Sequence, residues 1–282
     1  MAVLRSFGVG GSVARAALGW IRRDQQAGAL ERTNFHGRTV SLAGGPALAL
    51  GATAGAVAGA PSLRVAAASA VAGVTSGSVG LYDDISGDSG IKGFAGHLGA
   101  LREGRVTSGL VKIAGVGAAG LAAAALLAAD PRVRAHRGRR RGGVVRATSD
   151  VLLGAGVIAG TANLLNLLDL RPGRALKAGT LIGVPLAVGR GGGVAAGTLG
   201  AGAALLPADL GEEIMLGDAG ANALGALLGV ALAARTGPAG RAVALSVLAA
   251  LTAASEKVSF TKVIAETPWL RAADELGRQP VA

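Results

Sequence analysis

Two adjacent carboxylates, Asp83 and Asp84, close the stretch Gly80-Leu81-Tyr82-Asp83-Asp84-Ile85-Ser86-Gly87-Asp88, where an apolar run of small residues stops abruptly. Neighbouring aspartates repel each other and are costly beside a membrane. Such a pair calls for a counter-ion, a metal or a cationic substrate, unless it is no more than a solvated helix end. A second acidic centre, Asp209-Leu210-Gly211-Glu212-Glu213-Ile214-Met215-Leu216-Gly217-Asp218-Ala219-Gly220, presents Asp218 from a tight turn ahead of an apolar helix. Between the two, Asn163, Asn166 and Asp169 recur every third residue and drift by only about 60° per step around a helix. That register suits a ligand face, and equally suits hydrogen bonding between helices. Lys112 stands near the start of another apolar run, where it can snorkel to the interface or reach an anion.

The elements that must position these groups are those of a membrane protein. Of the 282 residues, 51% are hydrophobic, 16% charged and 2% aromatic, against roughly 25% charged residues in a soluble domain. The apolar runs, near 1–22, 43–60, 64–82, 108–129, 148–165, 175–189, 192–207, 221–235 and 239–254, predict an all-α polytopic transmembrane helix bundle of about nine spans. A single integral-membrane domain over 1–282 is expected, with 255–282 as an amphipathic, charged tail, which the resemblance described below would place in the cytoplasm. Ala and Gly contribute little insertion energy, but small residues let helix backbones approach. Gly51, Gly55 and Gly59, and likewise Gly115, Gly117 and Gly120, are expected on packing faces. A soluble Ala/Gly-rich α/β domain is the alternative, but Gly8-Val9-Gly10 and Gly154-Ala155-Gly156 lack the strand-turn-helix unit of a dinucleotide loop.

The net charge of +11 comes from arginines in loops, without interleaved aromatics. This argues against nucleic acid and for anionic headgroups or polyanionic substrates. The absence of cysteine removes disulfides, thiolate metal sites and Cys nucleophiles. Arg5 and Arg15 inside the first apolar stretch predict a retained helix, not a signal peptide.

Four motifs in order resemble the polyprenyl-phosphate N-acetylhexosamine-1-phosphate transferases, which include the phospho-N-acetylmuramoyl-pentapeptide transferases and the enzymes that move GlcNAc-1-phosphate to a lipid carrier. They are Asn34-Phe35-His36-Gly37-Arg38 with Ala43-Gly44-Gly45, then Asp83-Asp84 with Lys92-Gly93-Phe94-Ala95-Gly96-His97 to Lys112, then Asn163-x-x-Asn166-x-x-Asp169, and last Gly217-Asp218-Ala219-Gly220. The resemblance implies Mg²⁺-dependent transfer of a sugar-1-phosphate from a UDP-sugar to a polyprenyl phosphate, in cell-envelope glycan synthesis. It assigns catalysis to Asp83, Asp84 and Lys112, the two aspartates positioning or deprotonating the lipid phosphate. Asp218 and Asn166 would hold Mg²⁺. Substrate binding falls to Asn34, Arg38, Lys92, His97, Asn163 and Asp169. A multi-pass protein of the cell membrane is implied, with its site facing the cytoplasm and room for a homodimer.

The chain departs from the family's pattern. Asp169-Leu170-Arg171-Pro172-Gly173 carries Pro172 where the family has a second Asp, no triple-His segment occurs in 255–262, and the family's last helix is missing. These departures keep open a second reading, a catalytically inactive descendant that binds polyprenyl lipid or a membrane partner. A small transporter is a third, but its polar groups belong at mid-membrane and not at segment ends. With the motif loops cytoplasmic, residues 131–146 and their seven arginines lie outside, against the positive-inside rule.

Overall fold

The computed structural model describes residues 1–86, 93–135, 144–189 and 191–279. Lys92 lies outside the described residues, as does the side chain of His97. The chain begins with α1 (Ala2–Ile21), passes through a small antiparallel hairpin, β1 (Glu31–Thr33) and β2 (Thr39–Ser41), and enters α2 (Gly44–Ala58) and α3 (Leu63–Ser86). Then follow α4 (Gly93–Arg102), α5 (Ser108–Ala129), the single turn α6 (Pro131–Ala135), α7 (Val144–Leu168) and α8 (Arg174–Ala187). The chain closes with α9 (Gly193–Leu210), α10 (Gly217–Arg235), α11 (Pro238–Ser255), α12 (Phe260–Glu266) and α13 (Pro268–Glu275).

The all-α bundle expected from composition is present. Among the described residues, six helices, α3, α5, α7, α9, α10 and α11, are long and apolar enough to cross a membrane, while α2 is apolar but shorter. Helix starts follow local chemistry. The Thr107 hydroxyl accepts the Leu110 amide ahead of α5, and α11 and α13 open on Pro238 and Pro268, whose missing N–H groups would have no intrahelical partner there.

Helix α10 is the axis of the bundle: 78% of its apolar window is buried, against 11% for α11. A helix apolar on all sides belongs inside, and the outward face of α11, with Val243 and Val247 exposed, is suited to lipid. Close approach between α1, α2 and α9 depends on the expected glycines. A methyl on Gly51 would meet Ala14, on Gly55 it would meet Gly197 and Gly10, and on Gly59 it would meet Gly193. In the second set, Gly115 packs on Val79 and Gly120 on Ala155, while Gly117 faces open space.

The bundle has two distinct ends. At one, the Ser62 hydroxyl donates to Asp130 at 2.5 Å, Arg64 reaches the Ala129 carbonyl at 3.0 Å, and α6 begins the arginine-rich segment. At the other lie the hairpin, the 211–216 turn, the C-terminal end of α3 and the tail helices. There β2 docks on the turn, with the Ser41 amide donating to Glu213 and the Met215 amide donating to Ser41. The polar segment 22–41 contains this hairpin. Paired strands form because the Asn34 side chain closes the hairpin, its oxygen accepting the His36 and Arg38 amides, and Gly37 takes a positive φ of 78°.

Candidate functional site

Helix α3 delivers Asp83 and Asp84 to the N-terminus of α10 because Gly80 removes the obstacle: a Cβ there would stand 2.4 Å from the Asp218 carbonyl oxygen. Gly217 turns the chain into α10 with φ 57°, and a Cβ on it would fall 2.8 Å from an Asp84 carboxylate oxygen. The two glycines together let the two acidic motifs meet.

At that meeting point the adjacent aspartates separate in role. The Asp84 carboxylate accepts the Asp218 and Ala219 amides, one on each oxygen at 2.9 Å, and so caps α10. Asp83 turns instead to the Lys112 ammonium at 2.6 Å, and Lys112 also donates to Asp218. Lys112 is thus the counter-ion that the acidic pair demanded. All three groups are partly accessible, with side-chain exposures of 18% for Lys112, 13% for Asp83 and 25% for Asp218.

Asp169, just beyond α7, joins this neighbourhood. Burial and the nearby Asp209, Asp218 and Asp84 push its carboxyl well above the usual range, opposed by the Gly217 amide. One ammonium stands among several carboxylates, and a raised pKa lets Asp169 relieve their repulsion by keeping its proton.

The cluster opens on a cleft of ≈750 Å³ between α5, α7, α10 and α11, lined by Lys112, Asn163, Asn166 and Asn222 and by apolar side chains such as Ile113, Val116 and Leu248. Asn163 donates to the Thr252 hydroxyl of α11 at 3.0 Å, a bond between helices. The Asn166 side chain faces the cleft with no hydrogen-bond partner among the described residues. Arg38 stands beside the buried Glu212 carboxylate at 3.5 Å, and the Asn34 amide also donates to Glu212. The structure therefore gathers Asp83, Asp84, Lys112, Asn163, Asn166, Asp169 and Asp218 around α10, and sets Asn34 and Arg38 in the neighbouring hairpin.

Three further residues take part that the motifs did not single out. Asn222 lies one turn after Asp218, donates to its carbonyl at 2.8 Å and lines the cleft; the four-residue spacing was the available signal. Buried Asp209 accepts the Gly173 amide at 2.9 Å and fixes the loop after Asp169. Glu212 ties the hairpin to the turn through Asn34 and His36.

Among the described residues, no group of three His, Asp or Glu side chains forms a ready cation cage. The donor set nonetheless fits Mg²⁺ in kind. Asp218 and Asn166 are hard oxygen donors in an acidic locality, and Mg²⁺ is commonly held by one or two carboxylates together with substrate phosphates. No protein-family model matches the chain, and no curated protein matches it.

Proposed function

We propose that this protein is a Mg²⁺-dependent transferase that moves a sugar-1-phosphate from a UDP-sugar to a polyprenyl phosphate. The observation that carries the reading is Lys112, bonded to both Asp83 and Asp218 at the polar head of an apolar cleft. A lipid with a charged head and a long apolar tail matches that gradation of surface.

The lipid tail lies along the apolar wall, with its phosphate at Lys112. Asp83 accepts or orients the phosphate proton, because Asp84 is committed to the α10 amides. A lipid-phosphate oxygen attacks the phosphorus that bears the sugar. A new P–O bond forms, the bond to the bridging oxygen breaks, and the electron pair leaves with UMP. Bound at Asp218 and Asn166, Mg²⁺ would supply positive charge to the diphosphate and the departing UMP. The protein's task is then positioning and electrostatics, as in other phosphoryl transfers. UMP release dependent on both lipid phosphate and Mg²⁺ tests the reading.

The full count of about nine spans requires α1, α2 and α8 to cross as well. The course of α8 supports this: Arg174 at its start bonds Asp274 of the tail, whereas Arg235 at the end of α10 reaches the Leu186 and Val188 carbonyls at its finish. The site end is assigned to the cytoplasm, where UDP-sugars are found. A lipid-binding protein without turnover is the second reading, favoured by Pro172, whose carbonyl accepts Arg278 of the tail at 2.8 Å.

A further inference from the structure

A second cavity, of ≈470 Å³, opens at the site end and shares no lining residue with the apolar cleft. Three separate pieces build it: Phe35 and His36 of the hairpin turn, Arg171 and Arg174 after α7, and the tail from Thr261 to Gln279. Its lining sets four guanidiniums, Arg171, Arg174, Arg271 and Arg278, against two carboxylates, Asp274 and Glu275. Asp274 is already engaged, by Arg174 through two bonds of 2.8 Å and by Arg278 at 2.7 Å.

Arg174 and Arg278 are thus committed, and Arg171 and Arg271 carry the charge left over. Arg171 stacks 4.0 Å over the Phe35 ring and, among the described residues, otherwise donates only to the carbonyl of Leu170, the residue before it. The Arg271 guanidinium has no partner among the described residues. Burial, and then the charges of Arg174 and Arg278, lower the pKa of Arg171, a sign of crowded positive charge. His36 turns Nδ1 to Glu212 at 3.0 Å, leaving Nε2 as its second ring nitrogen.

We propose that this cavity binds a phosphate-type anion of two or more charges through Arg171 and Arg271, and that binding adds a link between the loop 169–174 and a tail already held there by Arg174–Asp274 and Arg278–Pro172. Guanidinium forks match phosphate oxygens in pairs, and two uncompensated charges call for a multiply charged ligand. The same chemistry could arrive as a soluble diphosphate or as a lipid phosphate headgroup. Neither source requires the transferase reading.

The test uses the full chain with Trp20→Phe, so that Trp269 at the start of α13 reports on the tail. Its emission is titrated with inorganic pyrophosphate in neutral detergent with EDTA, and compared in phosphatidylcholine nanodiscs with and without phosphatidic acid. A saturable change is expected in at least one arm, weakened tenfold or more by Arg171→Gln and by Arg271→Gln, and unchanged by Lys257→Gln. Response to pyrophosphate identifies a soluble source, and response to phosphatidic acid alone a headgroup. No saturable response in either arm, or one that survives both arginine substitutions, overturns the proposal.

Discussion

Asp83 and Asp84 are consecutive in the chain yet answer to different partners. Asp83 lies 2.6 Å from the Lys112 ammonium, whereas Asp84 spends both carboxylate oxygens on the amides that open α10. One residue of the pair faces the ammonium at the cleft, and the other holds the helix that presents Asp218.

Substitution should separate these roles. Asp84→Ala removes a helix cap and is expected to cost about 1–2 kcal/mol, read as a lower unfolding temperature in detergent. Asp83→Asn leaves that cap intact but gives up its ion pair with Lys112, so a modest fall in unfolding temperature should accompany a reduction in UMP release of about 100-fold or more.

Lys112→Met strips the counter-ion from two carboxylates and should destabilise the protein by about 3–5 kcal/mol. Adding Asp83→Asn to Lys112→Met relieves part of the repulsion. The double variant is expected to recover stability in thermal unfolding without recovering activity.

Gly217→Ala places a methyl at positive φ against the Asp84 carboxylate. A loss of about 1–3 kcal/mol is expected, together with weaker activity, because the same turn aims Asp218. Unfolding curves of the variant and the parent protein measure the loss.

Burial acts to raise the pKa of Glu212, but the bonds from Asn34 and His36 and the charge of Arg38 outweigh it and hold the carboxyl below its ordinary value of 4.5. Because the folded value is depressed, this stabilisation is complete above the unfolded pKa and is lost as pH falls through the folded one. Glu212→Gln should therefore lower stability at neutral pH and flatten the acid limb below about pH 4.5. Unfolding temperatures of both proteins across pH 2–7 would reveal it.

The chain has no cysteine, so single introduced thiols can report sidedness. Glu103→Cys lies at the site end and Ala239→Cys at the other. With the site facing the cytoplasm, a membrane-impermeant maleimide added to intact cells should label Ala239→Cys and spare Glu103→Cys.

Much of the site was legible because its residues sit where apolar runs end. Charge at such positions stands out against Ala, Gly and Leu, and Asp83, Lys112, Asn166 and Asp218 converge in the structure. The division of labour between Asp83 and Asp84 was not legible, since it depends on which oxygen meets which amide across more than a hundred residues. Asp209 was hidden because it acts on the backbone of Gly173 and carries no pattern of its own. The hairpin escaped notice because its strands are three residues each, too short for alternation to register. The arginine cavity is assembled from three distant segments, and no single one of them is unusual in a chain so rich in arginine.

The most direct measurement is UMP release by the purified protein in detergent with polyprenyl phosphate, Mg²⁺ and a panel of UDP-sugars, beside Asp83→Asn and Asp218→Asn. Release that requires lipid phosphate and Mg²⁺, and that both substitutions abolish, is the predicted result and would identify the sugar. Well-folded protein that binds polyprenyl phosphate but releases no UMP from any of the sugars would contradict it.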